Sequence, residues 1–486
     1  MRILYIDIDT LRPDHLGCYG YHRNTSPNID AIARNATVFD NVHASDVPCL
    51  PSRTALLTGR FGIHNGVVNH GGTDADPVAD GQGRKFWSSL QIDSFPTRLK
   101  GAGLRTATIS SFAQRHSAFH WYAGIDEAYN VGKFGIETAD EVYALANDWL
   151  ARNGKQDNWY LHVHMWDPHT PYRAPQSYGD PFADEPLPQW LDEEVRAEHW
   201  AGSGPHSARE ANGYEPRDKA RERYPRQPQE IPDMAAVRQM FDGYDTGVLM
   251  ADEYVGRLLN DLADLGIDDD TVIMISSDHG ETLGELNVYG DHQTADQLTT
   301  RVPLILRWPD KLKAARLQAK HYQIDISATI LELLGVAVPA SWDGESFSSA
   351  LLEGHDSGRE YLVLSQAAWA CQRGVRFDDW LYLHTRHDAY HLYPDEMLFD
   401  LSKDPHQQFN LAASDSETLG RGRDLLATWR GDMIADAARG RDPHDNVMAE
   451  GGPFHVRGQL AGYLERLRAT QRGGVADKLE AKWRPV

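Results

Sequence analysis

The sequence predicts an α/β protein: a large mixed, mostly parallel sheet sandwiched by helices, followed by a smaller antiparallel-sheet subdomain. Three observations predict it. Runs such as Thr271 to Ser276 (T-V-I-M-I-S) are almost continuously apolar, as strands buried on both faces of a parallel sheet are. These runs alternate with amphipathic helical stretches, of which Ala235 to Leu265 is the longest. After Gly358 strands follow one another with no long helix between them. The chain therefore divides into 1–357 and 358–486, the second part holding the small antiparallel sheet and a helical tail.

Composition narrows the function. Among 486 residues, 71 Asp and Glu face 48 Lys and Arg, a formal charge of -23. Such a field opposes nucleic acid and anionic membrane surfaces. It also opposes anionic substrates, so an anion site needs local positive groups or a metal. The cysteines, Cys18, Cys49 and Cys371, are too sparse for a disulfide framework or a zinc site. No apolar run is long enough to span a membrane. The chain opens directly on R-I-L-Y-I-D-I-D, without a basic stretch, apolar run and cleavage site ahead, so a cytoplasmic location is expected if Met1 is the native start.

The first strand, Arg2 to Asp9, alternates acids with apolar residues, so Asp7 and Asp9 share a face and Asp9 lies at the carboxyl tip. Ligands collect at such tips in open α/β sheets. Ser26 to Asn35 reads as a short helix and Thr37 to Asn41 as a strand. Pro48 to Gly59 (P-C-L-P-S-R-T-A-L-L-T-G) follows. Pro51 suits a helix start and Gly59 its end, which sets Cys49 at or just before an anion-favouring N-terminus. Alone, the stretch reads either as a buried thiol or as a nucleophile.

Gly62 to Asp93 has no period and reads as a long loop, with His64, Asn65, His70 and Arg84 on a solvated surface. Phe95 to Ala102 is a helix and Arg105 to Ser111 a strand, with His116 and His120 in the loop beyond. Thr138 to Asn153 is a helix opened by a Thr138–Glu141 capping box. Trp159 to Met165 is a strand ending in W-D-P-H-T-P-Y, which sets Asp167 and His169 at its tip. Ala174 to Pro232 is a Pro-rich, charged surface excursion; together with the loop from His64 to Asp93 and the tail around His455 and Arg457 it is expected to line the pocket. In the helix that follows, Gly247 marks a loosened midpoint. Thr271 to Ser276 ends in S-D-H-G-E. Val302 to Trp308 is a strand and Tyr322 to Gly335 a helix. In the second part, Tyr361 to Gln366, Gly374 to Arg386 and Glu396 to Asp400 are strands, and Glu417 to Ala438 and Gln459 to Thr470 are helices.

Strand tips thus gather Asp9, the Cys49 turn, His169 and Asp278-His279. Two carboxylates with a histidine suit a hard divalent cation, which at a helix N-terminus makes an anion site. With these motifs assembled, the chain resembles the formylglycine-dependent (type I) sulfatases of the alkaline phosphatase superfamily. C-L-P-S-R-T-A-L-L-T-G matches their C-x-P-S-R signature; D-I-D-T-L-R-P-D-H-L-G-C-Y-G and S-D-H-G-E match the two metal strands. P-H-T-P-Y matches the substrate histidine, and R-V-P-L-I and M-L-F-D-L-S-K-D-P match the framework, in order to about Leu411.

The resemblance implies an alkaline phosphatase-like fold and a sulfuric ester hydrolase. It implies that Cys49 is converted to formylglycine (3-oxoalanine) by a formylglycine-generating or anaerobic maturation enzyme. Asp9, Asp278, His279 and modified Cys49 would hold one Ca2+, with Mn2+ or Mg2+ as substitutes. Arg53 would steady the formylglycine, His169 and His292 would bind sulfate and protonate the leaving alcohol, and His116 would be the second-step base. The substrate implied is a small sulfated mono- or oligosaccharide; the alternative is a phosphonate monoester or phosphodiester. Three positions depart from the pattern: Thr10 follows Asp9 where a second aspartate is usual, His292 stands for a lysine, and the K-x-H motif is Gln114-Arg115-His116. A histidine at 292 predicts a more acidic rate optimum than a lysine would give.

Overall fold

The computed structural model describes residues 1–79, 89–213 and 224–483. In chain order its strands are β1 (Arg2–Ile8), β2 (Thr37–His43), β3 (Asp46–Val47), β4 (Arg105–Ile109), β5 (Glu127–Tyr129), β6 (Trp159–Met165), β7 (Thr271–Ser276), β8 (Thr282–Leu283), β9 (Tyr289–Asp291), β10 (Arg301–Arg307), β11 (Ala315–Tyr322), β12 (Tyr361–Gln366), β13 (Cys371–Phe377), β14 (Trp380–His387) and β15 (Glu396–Asp400). Eight form a central sheet in the order β11-β2-β10-β7-β1-β6-β4-β5. Only β10 runs against its neighbours, so the sheet is mixed and mostly parallel, as predicted.

β1 occupies the middle of the sheet and is buried along its whole length. Its residues alternate between two cores. Leu4, Ile6 and Ile8 join the core beneath the Ala139–Asn153 and Met234–Leu265 helices. Ile3 and Tyr5 join the core on the opposite face, which includes residues of the Phe95–Gly101 and Gln323–Leu333 helices. Asp7 and Asp9 share the second face by the same alternation. The parallel register pairs Asp7 with His164 on β6 and with Ser276 on β7. The next residues of these strands therefore emerge side by side at one edge.

The second sheet runs β15-β14-β13-β12-β3 and is covered by the Ser416–Asp436 helix, which buries Leu419, Leu426 and Trp429. It is not confined to the C-terminal part of the chain. β3 pairs in parallel with β12 and leads straight through Pro48 into Cys49.

Several sequence expectations change. Gly374 to Arg386 is the hairpin β13–β14, turning at Asp378 with φ 42°, where apolar residues on both sides of a tight turn had read as one strand. β11 carries alternating polar residues at the sheet edge and gave no apolar signal. Gly247 does not loosen its helix, which is continuous from Met234 to Leu265. A Cβ there would meet Pro168 Cα at 2.9 Å, and one at Gly243 would meet Tyr172 Cδ2 at 2.7 Å. The two glycines, one turn apart, let the His169 loop lie against the helix. His64 and Asn65 are buried, not solvated: His64 Nδ1 lies 2.8 Å from Asp343. Arg84 lies outside the described residues.

Candidate active site

Cys49 is the first residue of the Cys49–Thr58 helix, two residues ahead of Pro51, and all ten residues of that helix are buried. Two contacts tie this helix and its neighbour to the end of β7: Ser52 Oγ donates to the Asp278 carbonyl at 2.5 Å, and Gln323 Nε2 donates to the Ser277 carbonyl at 2.5 Å. Cys49 Sγ lies 3.1 Å from His279 Nε2. Burial, reinforced by Asp9 and Asp278, pushes the thiol well above its ordinary pKa. Reactive thiols are tuned the other way, so the unmodified side chain is a poor nucleophile.

Arg53, one helical turn on, points at the acids. It bonds Asp7, reaches Asp9 Oδ2 at 3.0 Å through Nη2, and lies 3.1 Å from Asp278 Oδ2 through Nε. Nη1 and Nη2 thus donate to carboxylates, Nη2 also lying beside His164, while Nε faces Asp278 without a hydrogen bond. One guanidinium among three buried carboxylates leaves negative charge over. Burial carries Asp278 up to about 6 in spite of Arg53, with Asp9 adding to the rise.

The surplus has the form of a metal site. Asp9, Cys49, Asp278 and His279 each offer a ligand atom within 4.8 Å of the others. Asp9 Oδ1, Asp278 Oδ2 and Thr10 Oγ1 are buried without a hydrogen-bond partner among the described residues. Orphaned oxygens and uncompensated charge together fit a divalent cation. Thr10 has φ 57°, a left-handed conformation costly for a β-branched residue, and its carbonyl accepts from Tyr244 Oη at 2.8 Å. Asp7 belongs to Arg53 and to His162, 3.0 Å away, and is not part of the cluster.

Above this floor opens a cavity of about 820 Å³, onto which Cys49, His116, His169 and His292 all face. The His169 and His292 rings are 5.4 Å apart, and His292 packs 4.3 Å from His279. His292 Nδ1 lies 3.2 Å from Glu281 Oε2, which orients it. Burial pushes both His169 and His292 below the ordinary histidine value. His116 is pushed down to about 3 by burial and then by Arg115, and its Nε2 has no partner among the described residues. Arg115 also lines the cavity. It lies over Trp166 at 5.0 Å, donates to the Phe134 carbonyl at 3.3 Å, and has no carboxylate partner among the described residues. The structure thus brings together every site residue expected from sequence, with Arg53 in the wall behind.

The family model for sulfatases matches residues 2–336. The chain belongs to the sulfatase family. A second model, for the C-terminal part of N-sulphoglucosamine sulphohydrolase, matches residues 284–419. An ulvan-active sulfatase of Formosa agariphila is 26% identical, with 90% of this chain and 83% of that protein covered. An N-acetylglucosamine-6-O-sulfatase of Bacteroides thetaiotaomicron is also 26% identical, with 84% and 82% covered. Among solved structures, BT4656 in complex with its substrate D-glucosamine-2-N,6-O-disulfate superposes with a TM-score of 0.71 at 21% identity, covering 91% of this chain and 99% of that one. The chain is accordingly a sulfuric ester hydrolase of alkaline phosphatase-like fold.

Sequence reasoning missed two histidines of this sulfatase. His162 and His164 sit on β6 opposite the acids of β1 and form parallel chains across three strands. Thr108 Oγ1, His162 and Asp7 are linked at 2.8 and 3.0 Å. Ser110 Oγ, His164 and Asp9 are linked at 2.8 and 3.1 Å, and Arg53 Nη2 reaches His164 at 2.8 Å. The signal was present: H-V-H in β6 has the same two-residue period as D-I-D in β1. Reading it required knowing that these strands are neighbours.

Proposed function

We propose that this sulfatase hydrolyses a sulfate ester of a small carbohydrate, using formylglycine made from Cys49 and one divalent cation held by Asp9, Asp278, His279 and residue 49. The observation that carries the reading is the meeting of the C-L-P-S-R helix start with orphaned carboxylate oxygens from β1 and β7 under a histidine-lined cavity. The carbohydrate part draws on the relatives, whose names specify ulvan and N-acetylglucosamine sulfates. When present, the formylglycine supplies a hydroxyl nucleophile and the cation draws charge from the sulfuryl oxygens.

The chain's own groups do the rest. Asp278 stands beside residue 49 to accept the nucleophile's proton. Arg53 keeps Asp7, Asp9 and Asp278 in place and balances part of their charge. His169 and His292 face the cavity from two sides, to hold sulfate oxygens and to deliver a proton to the leaving alcohol. Arg115 adds positive charge at the mouth, and His116 is the base assigned to sulfate release.

The test is mass spectrometry of the Cys49 peptide from protein expressed with and without a maturation enzyme, beside assays on 4-nitrophenyl sulfate. Conversion at Cys49 that tracks activity is expected; a fully active protein with an unmodified cysteine would overturn the mechanism. Thr10, which leaves the first metal strand with a single aspartate, favours one competing reading, a phosphonate monoester or phosphodiester hydrolase. Faster turnover of an aryl phosphonate than of the matching sulfate would establish it instead.

A further inference from the structure

With Cys49 as a thiol, the floor of the cavity carries a second set of metal ligands. Cys49, His279 and His292 each offer a ligand atom within 4.8 Å of the others, and all three residues are buried. This set shares Cys49 and His279 with the oxygen-rich set that includes Asp9 and Asp278, so the two are alternatives for one cation. Cysteine spacing gave no sign of it, because the ligands come from three separate segments. Both imidazoles are already oriented. His279 Nδ1 donates to the Gly280 carbonyl at 2.8 Å, which leaves the lone pair on Nε2, 3.1 Å from Cys49 Sγ. His292 Nδ1 lies 3.2 Å from Glu281 Oε2. A carboxylate on one imidazole nitrogen leaves the other as the ligand, an arrangement common among metal-binding histidines. The two rings are tilted by 44°, with centroids 4.3 Å apart.

We propose that the chain with an unmodified Cys49 binds one Zn2+ through Cys49, His279 and His292, and that conversion of Cys49 abolishes this site in favour of the oxygen-ligated cation. One sulfur and two nitrogens are a borderline-soft donor set, which suits Zn2+ and not Ca2+. Zn–S and Zn–N bonds of about 2.3 and 2.0 Å at a tetrahedral angle set sulfur and nitrogen about 3.5 Å apart. The 3.1 Å contact between Sγ and Nε2 therefore opens only slightly to admit the ion. On binding, the Sγ–H proton leaves to solvent and the Sγ–Zn bond takes its place. Replacing that sulfur by oxygen leaves two nitrogens for Zn2+, while Asp9 and Asp278 keep their charge for a hard cation. The Zn2+ site belongs to the thiol form; only its loss on conversion rests on the formylglycine reading.

The test uses the full chain expressed without a maturation enzyme, with Cys49 shown by mass spectrometry to be unmodified. Added Co2+ is expected to give a thiolate-to-cobalt charge-transfer band that Zn2+ abolishes, and Zn2+ is expected to raise Tm. Cys49→Ser is expected to remove the band, while Cys18→Ser and Cys371→Ser keep it. His292→Ala is expected to cost more than about a hundredfold in Zn2+ affinity, and Glu281→Gln about tenfold or more. Glu281→Gln is nearly isosteric, so it carries the test if His292→Ala misfolds. Three results overturn the site: no band in the unconverted chain, a band that survives Cys49→Ser, or a Zn2+ affinity unchanged in both His292→Ala and Glu281→Gln. Converted protein that binds Zn2+ as tightly as the thiol form overturns the exchange of metals. Failure of a maturation enzyme to convert Cys49 overturns the formylglycine reading and the exchange with it, while the Co2+ band decides the Zn2+ site independently.

Discussion

Arg53 is the residue on which the site's electrostatics turn. It faces Asp7, Asp9 and Asp278, all buried, so the folded protein holds more negative charge there than it neutralises. A bound cation stabilises the fold by mass action, by about 2.7 kcal/mol when free metal is a hundred times Kd. Chelation is therefore expected to lower Tm, and added Ca2+ to restore it, as read by thermal melts. Thr10→Asp supplies the missing acid and is expected to raise the chelator concentration needed for half inactivation. His292 has a separate signature. If it protonates the leaving oxygen, His292→Ala lowers kcat on sugar sulfates by about 10²–10⁴-fold. The loss on 4-nitrophenyl sulfate is expected to be much smaller, because nitrophenolate departs without a proton. Equal losses on both substrates would assign His292 to sulfate binding instead.

At the scale of elements, the small sheet builds the site as well as following it. β3 sets the direction from which the chain enters Cys49, and Gln366 at the end of β12 donates from Nε2 to the His292 carbonyl at 2.8 Å. The sheet is anchored in turn by Asp442, which Arg373 on β13 grips with two bonds and Arg430 with one at 2.7 Å. Burial alone would raise the Asp442 pKa, but Arg373 and then neighbouring His444 and Arg430 outweigh it and hold the carboxyl far below the ordinary value. Its stabilisation is complete above the unfolded pKa of about 3.9 and is lost as pH falls below it. Asp442→Asn is expected to cost about 3 kcal/mol or more at pH 7, since it strands buried Arg373. The gap between variant and wild-type denaturation midpoints should close as pH drops below about 4. None of this tie was legible in the sequence. β3 is two residues long, and nothing local says that it joins strands more than 300 positions away. The buried strands β1, β6, β7 and β12 were legible almost to the residue, because burial leaves runs that are mostly apolar.

For the whole molecule, motif order revealed the floor of the site, while long-range folding built its walls. Asp9, Cys49 and Asp278 could be read because each ends or begins an element with its own signal. Three aperiodic stretches could be read as cavity lining, and His70, His206, Gln227 and His455 do line it, whereas Trp369, in the turn between β12 and β13, gave no signal. The same contrast between local and global governs substrate capture. The chain carries a formal charge of -23, yet its cavity holds Arg115 without a carboxylate partner among the described residues. At about 10 mM ionic strength the Debye length is near 30 Å, so an approaching sulfate ester feels the repulsion of the entire molecule. Near physiological ionic strength it shrinks to about 8 Å, and only the groups lining the cavity remain in range. Raising salt between these limits is therefore expected to increase kcat/KM for a monosulfated substrate while leaving kcat nearly constant. A neutral crowding solute at matched viscosity is the control. A fall in kcat/KM over the same range would mean that Arg115 and its neighbours steer the anion from a distance, against the charge of the rest of the chain.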